Sequence, residues 1–128
     1  MSSNLIDTSH QLLSTTNLEA ALAQFATDRD WEQFHSPKNL VMALTGEVGE
    51  LNEIFQWMTE EQSRSAAQNL KTQQQVRDEL ADVTLYLVRL ASVLGVDLND
   101  AVTSKLKLNA KKYPAEEVRG SSAKHTSE

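Results

Sequence analysis

The sequence contains no cysteine, and that absence removes two classes of architecture at once. Neither a disulfide framework nor a thiolate zinc site can be built, so a metal would have to be held by oxygen or histidine ligands, a donor set that favours a hard cation. Glycine (4) and proline (2) are scarce as well. No segment shows the β-branched alternation of a strand, so helices must carry the fold. Nor does any run approach the roughly 20 apolar residues that a membrane span requires, and the opening MSSNLIDTSHQLL lacks a basic stretch followed by an apolar one. A soluble, cytoplasmic protein with no membrane partner is the expectation. Basic residues are in deficit, 12 Lys and Arg against 18 Asp and Glu, for a net charge of −6. Binding along a nucleic acid needs clustered cations over a large footprint, so no nucleic-acid partner is expected, whereas a small anionic ligand can be held through a metal.

What is present reads as one small all-α domain within 128 residues. Thr16 and Glu19 form a T-x-x-E capping box for a first helix carrying Leu18, Leu22 and Phe25 and ending near Asp30. Residues 1–15 read as a flexible arm. Ser36 can cap a second helix with Pro37 in its first turn, and Val41, Leu44, Val48, Leu51, Phe55 and Met58 form its apolar stripe until about Thr59. Residues 60–71 are polar and aperiodic and read as a connection that can contain a frayed turn. A third helix bears Val76, Leu80, Val83, Leu87, Leu90 and Leu94, and Gly95 stands where a left-handed C-terminal residue belongs. Asp97 caps a fourth helix through Leu98, Ala101, Val102 and Leu106 to about Lys112, because Pro114 turns Tyr113 out of helical geometry. The core domain is thus expected over 16–114, with an irregular tail over 115–128.

Glu47 and Glu50 lie one turn apart on the second helix, as do Glu79 and Asp82 on the third. At about 100° per residue, Glu47 and Glu50 fall roughly 60° and 120° from Leu44, while Glu79 and Asp82 fall roughly 40° and 100° from Val83. Packing stripe against stripe can then bring four acids to one seam. Carboxylates that close raise one another's pKa and call for a compensating cation, for which oxygen-only ligands suit Mg²⁺. The competing reading is that these acids merely solvate amphipathic helices. It suits Glu53, Glu60 and Glu61 better than the two pairs.

The pattern E-x-x-E at Glu47 to Glu50, then E-x-x-D at Glu79 to Asp82, resembles the all-α MazG-like NTP pyrophosphohydrolases. Two flanking strings, Asp30 through His35 (DWEQFH) and Lys105 through Asn109 to Lys112, Tyr113 and Pro114, resemble the dCTP pyrophosphatase branch. The likeness covers about residues 18–126. It implies an antiparallel four-helix bundle-like protomer in which Glu47, Glu50, Glu79 and Asp82 hold Mg²⁺. The implied reaction is hydrolysis of a nucleoside triphosphate, dCTP or a modified dCTP foremost, to the monophosphate and pyrophosphate, as nucleotide-pool house-cleaning. A metal on the triphosphate neutralises charge, and an activated water attacks in line.

Trp31, His35, Trp57 and Tyr86 flank these acids in sequence and can frame a nucleobase, with core packing as the alternative. The resemblance assigns them to base recognition, while Phe34 is expected to pack. Lys105, Asn109 and Lys112 share one helical face, which is either a solvated basic helix end or a phosphate contact. The resemblance implies phosphate contact for these three and a closing role for Tyr113. It also implies a homotetramer with sites composed across subunits, in keeping with apolar stripes too large for one small bundle to hide. Members of the branch can carry a base-facing histidine on the first helix where Leu22 stands here, and their tails can lie over the site, as Ser121 to His125 would. Two other functions fit parts of the pattern. One is a MazG-like pyrophosphohydrolase for another nucleotide. The other is a non-catalytic helical module that binds a nucleotide or a partner.

Overall fold

A computed structural model describes residues 6–122, which contain helices and no strand. The elements are α1 (Thr16–Asp28), a 3₁₀ turn (Glu32–Phe34), α2 (Pro37–Phe55), α3 (Glu60–Arg64), α4 (Gln73–Leu94), α5 (Leu98–Lys112) and α6 (Ala115–Val118). They fall into two compact units, one running from Thr16 to Val96 and the other combining the N-terminal segment with the chain from Asp97 onward.

Local chemistry sets most boundaries in the first unit. The Ser36 side chain accepts the Asn39 N–H at 3.2 Å and Pro37 opens α2, as the sequence predicts. Gly95 ends α4 at φ 71°, a left-handed conformation that costs glycine little and other residues more. Three expectations need correction. Thr16 lies inside α1, so the capping position falls one residue earlier, on Thr15; the adjacent hydroxyl residues offer the same signal in two registers. Helix α2 stops at Phe55, short of Thr59. Thr59 instead caps α3: it accepts the Gln62 N–H at 3.1 Å while Gln62 Oε1 accepts the Thr59 N–H at 2.9 Å. That reciprocal capping box explains why a polar segment read as a connection contains a helical turn.

The principal packing of this unit is α2 against α4, with α1 also on α4. His35, just before α2, meets Arg89 near the end of α4, whereas Ile54 near the end of α2 shares a hollow with Gln75 at the start of α4. The two helices are therefore antiparallel. Among the described residues the buried apolar set is small: Ala26, Leu40, Ala66, Val76, Val88 and Ala91. Large apolar side chains remain outside it. Leu80, Leu87 and Leu94, seven residues apart along α4, are 53%, 43% and 54% exposed. The stripe that the sequence marks as core is thus only partly covered by its own protomer.

In the second unit, Asp97 caps α5 by accepting the Asp100 N–H at 3.0 Å, and Tyr113 leaves helical geometry before Pro114. Leu12 and Leu13 donate their backbone N–H groups to Asn99 Oδ1 at 3.0 and 3.1 Å, which ties part of the N-terminal segment to α5. After Pro114 the chain forms the short helix α6 where an irregular tail is expected, its first turn carrying Glu116 and Glu117, charges that suit a helix N-terminus. Ala123, Lys124 and His125 of the expected tail motif lie outside the described residues.

Candidate functional site

Antiparallel packing places the middle of α2 beside the first half of α4, and there three of the four expected acids converge. One carboxylate oxygen from each of Glu47, Glu50 and Glu79 lies within 4.8 Å of the others, close enough for a single metal ion. The Oε2 atoms of Glu47 and Glu79 are buried, and no described residue outside the acid cluster donates a hydrogen bond to them. Buried acceptors without donors are costly, and two routes relieve them: a shared proton or a cation. Hydrogen bonding with Glu79, then burial, then hydrogen bonding and charge from Glu50 push the Glu47 carboxyl up to about 7. Its partner is pulled both ways. The bond from Glu47 lowers the Glu79 pKa, but burial and the neighbouring Glu50 and Asp82 carboxylates leave it above the ordinary value. Orphaned oxygens and a retained proton fit a divalent-cation site with hard, oxygen-only ligands. Glu53, assigned to the solvated surface on sequence grounds, lines an open hollow of about 490 Å³ together with Glu50 and Glu79.

Asp82 is not one of the three converging acids. It lies one turn further along α4, within electrostatic reach of Glu79, and lines a separate cavity of about 250 Å³. The walls of this cavity are mainly apolar, from Leu22, Phe25, Leu40 and Leu85. Trp31, His35 and Tyr86 join them, so three of the four residues expected to frame a base do share one pocket. Phe25 and Trp31 stack edge to face at 5.8 Å between centroids, and Arg29 lies 3.6 Å above the Phe25 ring, which holds this wall in place. Trp57, the fourth, is 87% exposed and does not line the pocket. Phe34 is 58% exposed, so it does not pack within the protomer as expected; it ends the short 3₁₀ turn instead of facing the core.

Arg89 lines the same cavity and has no place in the sequence-based site. Its Nε–H donates to His35 Nδ1 at 3.1 Å. Burial, then the Arg89 charge, hold the His35 pKa below its ordinary value, partly opposed by Glu32. The ring is therefore neutral at physiological pH. One signal for Arg89 was available: Glu79, Asp82, Tyr86 and Arg89 stand at i, i+3, i+7 and i+10, a single face of α4. That face carries an acid cluster at one end and an aromatic cavity with a cation at the other. In the second unit, Lys105 and Asn109 line an apolar-walled hollow of about 400 Å³ with Leu12, Val102 and Leu106, while Lys112 and Tyr113 are half-buried at the end of α5.

Residues 43–127 match the model of the MazG-like family. The chain belongs to that family. It is 49% identical over 104 residues to human dCTP pyrophosphatase 1, a match covering 81% of this chain and 61% of the relative. The bovine dCTP pyrophosphatase 1 is 47% identical over the same length. The chain therefore spans about three-fifths of the length of the curated relatives it matches. Among solved structures, a pyrophosphatase from Archaeoglobus fulgidus superposes with a TM-score of 0.72 at 33% identity, covering 86% of this chain and 99% of that one. The all-α MazG-like architecture expected from the motifs is thereby established, and no described helix is long and apolar enough to cross a membrane.

Proposed function

We propose that this MazG-like chain is a Mg²⁺-dependent nucleoside triphosphate pyrophosphohydrolase that converts dCTP or a modified dCTP to the monophosphate and pyrophosphate, clearing the cytoplasmic nucleotide pool. The observation that carries the reading is the face of α4, where a cluster of orphaned carboxylates and an aromatic-lined cavity lie in line. Similarity to dCTP pyrophosphatases supports the substrate. Glu47, Glu50 and Glu79 would hold the cation, with Asp82 as fourth ligand. When bound, Mg²⁺ supplies charge neutralisation on the triphosphate and acidifies a water. The protein's own part is to hold the acids in register, to accept the water's proton on one of them, and to stack the base among Trp31 and Tyr86 with His35 at its edge. Lys105, Asn109, Lys112 and Tyr113 are assigned to the substrate's phosphate end on the family resemblance. The half-exposed leucines of α4 and the bare Trp57 support a homo-oligomer, a tetramer by that same resemblance, in which a second copy completes the site.

Pyrophosphate release from dCTP, 5-methyl-dCTP, dTTP, dUTP and dATP, in Mg²⁺ and in EDTA, tests the proposal. Metal-dependent cleavage of the cytosine nucleotides, lost in a folded Glu79→Gln variant, is the expected result. Cleavage favouring another base would move the chain to a different MazG-like substrate, and no cleavage of any triphosphate would refute the enzymatic reading.

A further inference from the structure

Arg89 presents a charge in a cavity that has little to offer it. The walls are mainly hydrocarbon, and among the described residues the guanidinium makes its hydrogen bond to His35 Nδ1. A guanidinium carries five N–H donors, so the Nη1 and Nη2 groups are left for an acceptor that none of the described residues supplies. Because Nδ1 of His35 accepts, the proton of the neutral ring is on Nε2, and His35 contributes a second fixed donor. The pocket is thus an apolar slot with donors at its Arg89 end, while the Asp82 carboxylate, seven residues earlier on α4, lines it on the side of the acid cluster. Apolar cavities of about 150 Å³ already admit benzene, so the observed 250 Å³ accommodates a pyrimidine ring.

Distance along α4 argues that the awaited acceptor is a base and not a phosphate. Arg89 is ten residues beyond Glu79, about 15 Å at 1.5 Å per residue, with Tyr86 between. A triphosphate held by a cation at Glu79 would place its base, not its phosphates, at the Arg89 end. Cytosine presents two adjacent acceptors, N3 and O2, to which the parallel N–H groups of a guanidinium fork are complementary. Uracil and thymine present an N3–H donor beside O2 and would oppose that fork. We infer that Arg89 is a specificity-determining residue, which reads the N3 and O2 edge of cytosine and keeps His35 in its Nε2–H form. The inference rests on the proposed nucleotide-binding role of this pocket.

The test is calorimetric titration of dCMP and dUMP, in EDTA, into the full-length wild type, Arg89→Ala and Arg89→Lys. The two ligands differ only in the base edge, so contributions from sugar and phosphate cancel. The wild type should prefer dCMP. Arg89→Ala should lose about 10- to 100-fold in dCMP affinity, the range for one bidentate base contact, with much less change for dUMP. Arg89→Lys keeps charge and stem but not the fork, so it should also lose the preference, and it serves if the alanine variant fails to fold. Imidazole ¹⁵N spectra should show His35 as a single Nε2–H tautomer in the wild type and as a mixture in Arg89→Ala. A dCMP to dUMP ratio unchanged in the variants, equal losses for both ligands, or a wild type that binds neither would overturn the inference. Hydrolysis of dCTP is followed separately. A wild type that binds dCMP selectively but cleaves nothing would refute the enzymatic reading and leave the role of Arg89 standing.

Discussion

Glu47→Gln should stabilise the metal-free protein near pH 8 and leave it unchanged near pH 4. The cause is the Glu47 proton, which the neighbouring carboxyls and burial retain up to about 7 instead of the ordinary 4.5. Below 4.5 folded and unfolded chains both carry it, and no penalty arises. Between 4.5 and 7 the unfolded chain ionises first, so stability falls as pH rises, and above 7 the folded state bears the whole repulsion. At about 1.4 kcal/mol per tenfold change, this displacement corresponds to at most about 3 kcal/mol; water reaching a half-buried carboxyl screens it to about 1 kcal/mol. For a chain of this size that is a melting-temperature rise of about 3–5 °C in the glutamine variant. Thermal melts in EDTA at pH 4, 6 and 8 give the comparison. Adding Mg²⁺ at pH 8 should recover the difference in the wild type, because a bound cation favours the ionised acids, and should do little for the variant. Parallel pH profiles for the two proteins, or a variant less stable at pH 8 without metal, would refute the like-charge account of the cluster.

Three other outcomes are expected. Glu79→Gln should reduce pyrophosphate release at least about 100-fold, the scale on which metal sites respond to altered support, while circular dichroism shows the helices intact. Leu87→Lys places a charge on a half-exposed apolar stripe and should shift light-scattering mass toward the 14.3 kDa protomer; an unchanged oligomer would exclude this face from the interface. Gly95→Ala should cost about 1 kcal/mol in denaturant unfolding, because φ of 71° is strained for alanine even though its Cβ would meet nothing within 4 Å.

The elements that sequence reasoning located well are those whose determinants are local. Ser36 with Pro37, Gly95, and Asp97 each fix a helix end through one or two neighbouring groups, and each stands where expected. Helix α3 was locally encoded too, by Thr59 and Gln62, but a five-residue helix has no apolar stripe, and periodicity passes over it. Residues 115–118 escaped for the same reason. Burial was less legible. A heptad stripe reports that a face avoids water, not which chain covers it, so Leu80, Leu87 and Leu94 read as core although their own protomer leaves them about half exposed.

The site shows the same division between what one helix encodes and what two must agree on. Spacing along α2 and α4 was enough to nominate both acid pairs, yet convergence depends on helix register, and the register sets Asp82 at the cavity instead of among the three clustered oxygens. Arg89 taken alone carries little signal, because an isolated arginine on a helix is ordinarily solvated. Its significance comes from His35, 54 residues earlier, whose Nδ1 it meets across the helix pair. On the proposed function, a single face of α4 would do two jobs that a nucleotide requires at a fixed separation. Carboxylates at Glu79 define one end, donors at Arg89 the other, and the rise of the helix between them sets the length of ligand that can satisfy both. A nucleoside alone should then gain from the Arg89 end and nothing from the metal, whereas a triphosphate should couple the two, so that Mg²⁺ raises dCTP-analogue affinity more than it raises dCMP affinity. Titration of a non-hydrolysable dCTP analogue and of dCMP, each with and without Mg²⁺, measures that coupling; equal enhancement of both would mean that the two ends do not serve one ligand.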